Sequence, residues 1–236
     1  MYYKRALKTR FLELSGQFPV MLLTGPRQVG KTTFLQHIAE PERQYVSLDD
    51  PDLRLLAIED PVLFFRRYKA PVLIDEIQYA PGLLPYIKME ADRQGKPGLF
   101  WLTGSQQFQM MRGISETLAG RVAILNLLGF SGREVMKADL QVPPFLPLES
   151  LLEQRRKMEK RLDAHQIYNQ IWLGSYPALV SGKVQDREIF YSSYLRTYLE
   201  RDVRDLTQVG SEKAFLTFLK ACAARTGQML NLSELA

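Results

Sequence analysis

The most constraining feature of this 236-residue chain is a glycine-rich loop between an apolar segment and an amphipathic one. Val20–Thr24 has the composition of a short buried strand, and Gly-Pro-Arg-Gln-Val-Gly-Lys-Thr-Thr follows it directly as residues 25–33. Phe34–Ala39 continues with helical apolar spacing. This is the Gly-x4-Gly-Lys-Thr pattern in the strand–loop–helix setting that it requires. The sequence therefore predicts a loop that binds the phosphates of a nucleoside triphosphate.

The residue types of this loop suit phosphate binding. Glycines let the backbone curl so that successive N–H groups point at phosphate oxygens, and the following helix adds a partial positive charge. We expect Lys31 to reach the β- and γ-phosphates and the Thr32 hydroxyl to ligate the Mg²⁺ that bridges them. Arg27 is expected to face solvent or the base. The predicted nucleotide-binding residues are Gly25, Pro26, Arg27, Gln28, Val29, Gly30, Lys31, Thr32 and Thr33.

Two adjacent acids end the third apolar segment, Pro71–Glu76. Because this segment follows the glycine-rich loop with one strand between, Asp75 and Glu76 are expected beside the phosphates. Asp75 can hold Mg²⁺ through a water, and Glu76 can orient or deprotonate an attacking water. The alternative is a pair of solvated acids at a strand end. An acid at Glu76 favours transfer to water over transfer to a small-molecule acceptor.

Two further positions are catalytic candidates. Thr103-Gly-Ser105-Gln106 ends the fourth apolar segment, where a hydroxyl can place the water and sense the γ-phosphate. A polar turn would have the same composition. Arg121 precedes the fifth segment and could stabilise transition-state charge on the nucleotide of a neighbouring subunit, which predicts a homo-oligomer. The alternative is a surface arginine at a helix end.

Apolar segments alternate with helical ones through the first part of the chain, which predicts an α/β fold with a parallel sheet covered by helices on both faces. We place the first helix over residues 1–16 and another over Met110–Ala119. After Leu128 no strand pattern appears, and helical segments follow on either side of a proline-rich linker at Gln141–Pro147. The predicted organisation is a nucleotide-binding domain over 1–140, a linker and helical lid over 141–210, and the start of a truncated domain over 211–236. The predicted strands are Val20–Leu23, Tyr45–Leu48, Pro71–Glu76, Leu99–Thr103 and Val122–Leu127.

The composition indicates the cellular compartment of the protein more clearly than it indicates a binding partner. The single cysteine, Cys222, excludes an internal disulfide, and no apolar run reaches membrane-spanning length. We therefore expect a cytoplasmic protein without membrane contact. Basic residues cluster at Lys4–Arg10 and Arg155–Arg161, in a chain of net charge +5. Such clusters are compatible with DNA binding, but a solvated helix face has the same composition.

These motifs together resemble the prokaryotic predicted ATPases of the AAA+ superfamily that carry a C-terminal domain of unknown function. The resemblance implies ATP rather than GTP, a five-stranded sheet in which the Asp75 strand is not adjacent to the loop strand, and a helical lid. It also implies a winged-helix-like unit beginning near Asn231 and further sequence beyond Ala236. Ser175 and Gln106 depart from the family pattern. The resemblance rests on residues 22–33, 45–51, 73–78, 102–105, 118–121 and 194–203.

The main hypothesis is therefore a Mg²⁺-dependent ATPase whose hydrolysis moves the helical region. An alternative is a nucleotide-dependent switch or DNA-binding regulator with little intrinsic turnover, favoured by the basic clusters and the incipient helix at 231–236. A small-molecule phosphotransferase is the third possibility, but the sequence shows no identifiable pocket for an acceptor.

Overall fold

Five short apolar segments form one parallel sheet in a computed structural model that describes residues 2–104, 113–114, 116–138, 140, 146–158, 162–198 and 212–235. The strand order is β2-β3-β4-β1-β5, so β4 separates β3 from β1. The predicted fold class is thereby confirmed, as is the separation of the Asp75 strand from the loop strand. The strands are β1 (Val20–Thr24), β2 (Gln44–Ser47), β3 (Val72–Asp75), β4 (Phe100–Thr103) and β5 (Val122–Asn126).

The three interior strands, β1, β3 and β4, are buried on both faces, which explains why they are nearly continuous apolar runs. Along β1, Val20 and Leu22 pack into one apolar cluster, and Met21 and Leu23 pack into the other. Alternate side chains of a strand point to opposite faces, so each face has its own core. All five residues of β1 are buried, which makes it an interior strand from which the loop starts.

Helices connect the strands, and local capping sets several of their ends. The Asp50 and Asp60 side chains accept from backbone N–H groups of the helices that follow them, and a proline stands at the first position of each helix. The helices up to β4 are α1 (Leu7–Ser15), α2 (Lys31–Ile38), α3 (Pro51–Glu59), α4 (Pro61–Arg67) and α5 (Leu84–Gln94). Two short 3-10 turns, Ile77–Tyr79 and Pro81–Leu83, lie between β3 and α5.

The first helix begins later than the sequence indicates. Residues 2–5 are not helical, and α1 starts at Leu7. The Glu134 carboxylate accepts from the Ala6 N–H (2.7 Å) and from Arg5 Nε (3.1 Å), so this segment is fixed by a distant partner instead of by helical hydrogen bonds. The helix predicted over Met110–Ala119 lies partly outside the described residues, and its residues 113, 114, 116 and 117 are helical.

The chain beyond the sheet is helical in its described parts, as expected. The chain forms two compact units, Met1–Lys183 and Val184–Ala236. The first unit continues with α6 (Gly132–Val135), α7 (Glu149–Met158), α8 (Ala164–Leu173) and α9 (Pro177–Val180). The second contains α10 (Arg187–Tyr198), α11 (Glu212–Ala224) and α12 (Leu232–Leu235). The predicted domain boundaries at 140 and 210 and the winged-helix-like unit stay predictions.

No helix within the described ranges combines the length and the apolar character that crossing a membrane requires.

Candidate functional site

The glycine-rich loop leaves the carboxyl end of β1 and curls into the first turn of α2. Gly25 has φ +139°, and a Cβ atom there would lie 2.1 Å from the Leu127 carbonyl oxygen. Gly30, at the N-cap of α2, has φ +87° with open space around it. Gln28 also has positive φ, at +61°. Gly25 is therefore required for close packing against the end of β5, and Gly30 for its backbone conformation alone.

The Lys31 ammonium is held inside the curve of this loop. The Lys31 residue is only 7% exposed, and its Nζ donates to the carbonyl oxygens of Gly25 and Pro26, both at 3.0 Å. Gly30 O accepts from the Phe34 N–H at 2.9 Å, which starts the hydrogen-bond ladder of α2. The structure thus places a buried cation and a helix N-terminus at one end of the loop, an arrangement suited to anion binding.

The Asp75 carboxylate, at the end of β3, accepts hydrogen bonds from three hydroxyl groups. Thr32 Oγ1 lies 2.9 and 3.0 Å from the two carboxylate oxygens, and Tyr45 Oη lies 3.3 Å from Oδ2. Thr103 Oγ1 donates to Oδ1. Since Asp75 is only 5% exposed, these contacts replace much of its lost hydration.

The Thr32–Asp75 contact fits a divalent cation. The two oxygen-bearing side chains come from the loop helix and from β3, and they meet beside the loop. Hydroxyl and carboxylate oxygens are the ligand types that Mg²⁺ prefers in proteins. Both residues predicted as metal ligands are thus brought together with suitable chemistry.

Glu76 follows Asp75 in a left-handed backbone conformation, with φ 59° and ψ 49°. Its N–H donates to Thr103 Oγ1 at 3.0 Å, and its carboxylate oxygen Oε2 accepts from Gln78 Nε2. The Oε1 atom of Gln78 is buried without a hydrogen-bond partner among the described residues. A non-glycine residue in this conformation costs about 1–3 kcal/mol and is commonest where function requires it.

Thr103 is fully buried, and its hydroxyl lies between the two acids. It donates to Asp75 and accepts from the Glu76 backbone, so it orders both residues. Ser105 and Gln106, which were predicted beside it, lie outside the described residues. The predicted water-placing and phosphate-sensing roles of Thr103 and Ser105 stay predictions.

Arg121 lies at the opposite edge of the sheet from the glycine-rich loop. Its carbonyl oxygen accepts from the N–H of Val20, the first residue of β1, whereas the loop follows the last. Its guanidinium pairs with Asp92, with Nη2 3.0 Å from Oδ2. Hydrogen bonding from Arg121 lowers the pKa of the Asp92 carboxyl below its ordinary value. Arg121 is therefore separated from the loop of its own chain, as its sequence position suggested.

Sequence reasoning did not identify Tyr45 and Gln78 as site residues. The pKa of the Tyr45 phenol is raised by burial and then by the negative charge of Asp75, to which its hydroxyl donates. Ser47 pairs with Asp75 across β2 and β3, and this register, which the sequence does not reveal, brings Tyr45 on the neighbouring strand to Asp75. The signal for Gln78 was its position two residues after Glu76.

Comparisons with known proteins agree with this geometry. Residues 17–136 match the family described as AAA domain, and residues 164–236 match a domain of unknown function (DUF8612). Uncharacterized proteins of Mycobacterium bovis and Mycobacterium tuberculosis are each 30% identical to this chain over 223 residues. Each alignment covers 92% of this chain and 44% of the relative, so the chain spans less than half the length of these curated relatives.

A solved structure shares the fold. The Walker-type ATPase of Pyrococcus abyssi aligns with a TM-score of 0.52 and 16% identity, over 99% of this chain and 88% of that chain. At this identity the likeness concerns the fold alone. The AAA-domain match covers just over half of the chain and includes the glycine-rich loop, Asp75, Glu76 and the whole sheet. The chain therefore belongs to the AAA domain family, and its sheet-containing unit is a P-loop ATPase-like nucleotide-binding domain.

Proposed function

We propose that this domain binds ATP with Mg²⁺ and hydrolyses it to ADP and phosphate. The observation that carries the proposal is the contact between Thr32 of the phosphate loop and Asp75, with Glu76 as the next residue. A loop that only bound phosphate would not need a second acid, Glu76, held by Gln78 next to the two residues that fit a cation. Adenine as the base follows from the family resemblance.

The side chains divide the work. Lys31 and backbone N–H groups of the glycine-rich loop bind the β- and γ-phosphates, which orients the γ-phosphate toward the acids. Thr32 and Asp75 would hold Mg²⁺, whose charge would offset the negative charge of the phosphate oxygens. Glu76 accepts a proton from the attacking water, and Gln78 holds the Glu76 carboxylate by its amide N–H group.

Phosphate release by purified protein tests this proposal. Lys31→Ala should abolish nucleotide binding, because it removes the buried cation of the loop. Glu76→Gln should keep affinity and lose roughly 10²–10⁴ of turnover, since an amide cannot accept the proton. Glu59→Gln, an exposed change at the end of α3, is the matched control and should behave as wild type. Turnover by Glu76→Gln at the wild-type rate would remove Glu76 from the mechanism, and equal competition by GTP would remove the adenine preference.

Self-association is a further part of the proposal. Arg121 lies at the edge away from its own loop, so it can act on phosphate only across a subunit boundary, after leaving Asp92. Arg121→Ala should then abolish turnover and spare ATP binding. A mixture of Arg121→Ala and Glu76→Gln chains should recover activity, because one interface in the mixture has both groups intact. Turnover that is independent of protein concentration and insensitive to Arg121→Ala contradicts this part.

The switch or DNA-binding alternative predicts tight ATP binding with negligible turnover until DNA is added. The basic cluster at residues 4–10 offers less to DNA than its composition suggests, since Arg5 is only 6% exposed. Lys4, Lys8 and Arg10 remain exposed. Measuring turnover with and without duplex DNA separates this alternative from a constitutive ATPase whose hydrolysis moves the helical C-terminal region.

A further inference from the structure

Arg5 is a buried arginine whose guanidinium links the glycine-rich loop, also called the phosphate loop, to the segment that follows β5. Its side chain is 5% exposed. Nη1 donates to the carbonyl of Val29, inside the loop, at 3.0 Å, and Nη2 donates to the carbonyl of Leu128 at 2.6 Å. Nε donates to Glu134 at 3.1 Å, and the guanidinium lies 4.8 Å from the centre of the Phe130 ring. One side chain thus contacts both the loop and the segment after β5.

The acid that neutralises Arg5 is fully anchored. Glu134 Oε1 accepts from Arg5 Nε and from the Ala6 N–H, and Oε2 accepts from the Ser131 N–H at 2.7 Å. Glu134 and Ser131 also form the capping box of α6. A buried ion pair is tolerated when its remaining donors and acceptors are satisfied, as they are here. We call Arg5 and Glu134 the loop clamp.

The segment held by the clamp also contacts the turn between α8 and α9. The Phe130 N–H donates to the Ser175 carbonyl at 2.7 Å. A Cβ atom added at Gly129 would lie 2.2 Å from Ser175 Oγ, so the backbone at Gly129 packs directly on this turn. A displacement of residues 128–130 must therefore displace the turn as well, because packed backbone has no room to absorb it.

We propose that Arg5 is a positioning residue for the phosphate loop and that the loop clamp couples this loop to the turn at Ser175. The proposal rests on nucleotide binding at the loop. Val29 lies between Gln28 and Gly30, both at positive φ, and the Arg5 contact stabilises this strained stretch. When phosphate contacts shift the loop backbone, the guanidinium moves with Val29 and carries Leu128 with it. The state of the nucleotide site is thus transmitted to the start of α9.

The test compares two buried arginines. Arg5→Lys keeps the charge, but an ammonium cannot span the carbonyls of Val29 and Leu128 together with the Glu134 carboxylate. Arg43→Lys is the matched control. Arg43 has a side chain 3% exposed, pairs with Glu40 at 2.6 Å, and donates to the Gly98 carbonyl at 2.7 Å, far from the loop along the strands. Both variants lose a buried multidentate arginine, and only one loses the loop contact.

Amide hydrogen exchange in the nucleotide-free protein gives the first readout. The reporters are the N–H groups of Phe130, bonded to Ser175, and Phe34, bonded to Gly30. In Arg5→Lys both should exchange roughly tenfold faster, as should the same groups in Glu134→Gln. In Arg43→Lys they should match wild type. The N–H of Tyr68, bonded to Phe64, should be unchanged in Arg5→Lys and Glu134→Gln.

The second readout is ATP affinity and its effect on the turn. Arg5→Lys should raise the Kd for ATP roughly tenfold. In wild type, ATP should slow the exchange of the Phe130 N–H, and in Arg5→Lys this slowing should be lost. Arg43→Lys should lower the Tm and retain both. Wild-type exchange at Phe130 together with wild-type affinity in Arg5→Lys would overturn the proposal. If wild-type protein fails to bind ATP, the proposed function fails, while the nucleotide-free exchange still decides whether the clamp joins loop and turn.

Discussion

A buried arginine lies at the carboxyl ends of the parallel strands, the carboxyl edge of the sheet, and another lies at their amino ends, the amino edge. The two arginines bind different parts of the chain. At the carboxyl edge, Arg5 binds Glu134 and the carbonyls of Val29 and Leu128. At the amino edge, Arg43 binds Glu40 and the carbonyl of Gly98. The two arginine side chains are almost equally buried, and each pairs with one acid and with backbone carbonyls. The difference lies in what their acceptors belong to, since those of Arg5 include the phosphate loop and those of Arg43 lie where strands begin.

Backbone strain follows the same division. Gln28 and Glu76, both non-glycine residues at positive φ, lie at the carboxyl edge beside the loop. At the amino edge, the turn before β4 places glycines at its positive-φ positions, Gly95 and Gly98. Both edges have glycines at positive φ, and the carboxyl edge adds two non-glycine residues at positive φ beside the buried Asp75. The comparison leads us to expect the reacting groups of one chain at its carboxyl edge, with Arg121 reaching such a site only in a neighbouring chain.

The largest loss of stability is expected for Gly25→Ala, and Gly30→Ala in the same loop is the comparison. Its Cβ would lie 2.1 Å from the Leu127 carbonyl oxygen, and its φ is +139°. Clash and backbone strain together should reduce the free energy of unfolding by about 2–5 kcal/mol. Gly30→Ala has open space and should cost about 1–2 kcal/mol through its φ alone. Chemical denaturation of both variants measures the difference, and equal losses would show that the contact with Leu127 is not tight.

A smaller effect at the carboxyl edge is expected for Thr103→Val. The valine keeps the shape but leaves the Glu76 N–H without its acceptor and removes one donor from Asp75. The cost should be about 1–3 kcal/mol in unfolding free energy, accompanied by a lower kcat. Thr103→Ser retains the hydroxyl and is the control, and it should keep most of the turnover. Full activity in Thr103→Val would mean that the two acids are ordered without this hydroxyl.

At the amino edge, Trp101→Phe should affect stability alone. The indole Nε1–H donates to Ser15 Oγ at 2.8 Å, and Arg43 lies 3.9 Å over the ring. Losing the hydrogen bond should cost about 1 kcal/mol, measured as a shift of the denaturation midpoint. The ATP dissociation constant should match that of wild type. A change in affinity here would break the division between the two edges.

The smallest effect is expected at the exposed ion pair of the amino edge. Hydrogen bonding from Arg121 lowers the pKa of Asp92, so any stabilisation is present above the ordinary carboxyl pKa and is lost as pH falls through the lowered value. Carboxyl NMR titration should show Asp92 returning toward its ordinary pKa in Arg121→Ala. Unfolding free energy at neutral pH should be nearly unchanged, because exposed pairs contribute little. An unaltered Asp92 titration would show that the pair does not form in solution.

Local patterns in the sequence were enough to predict the nucleotide-binding unit. Apolar runs and the Gly-x4-Gly-Lys-Thr motif identified the strands, the loop and α2, and each predicted strand boundary lies within one residue of the observed one. They also placed Thr32 and Asp75 together, because the carboxyl ends of parallel strands lie at one edge. These features depend on the period of each segment and on the chemistry of one loop, both of which the sequence carries locally.

Tertiary structure alone decided which distant residues contact the glycine-rich loop and Asp75. Arg5 and Glu134 are 129 positions apart, and the basic cluster around Arg5 suggested an exposed residue instead of a buried clamp. The same contact keeps residues 2–5 out of the predicted helix. Tyr45 reaches Asp75 only because β2 pairs with β3 in one particular register. Periodicity reports on neighbours along the chain, whereas these contacts depend on how the sheet and its flanking segments pack, which no local pattern encodes.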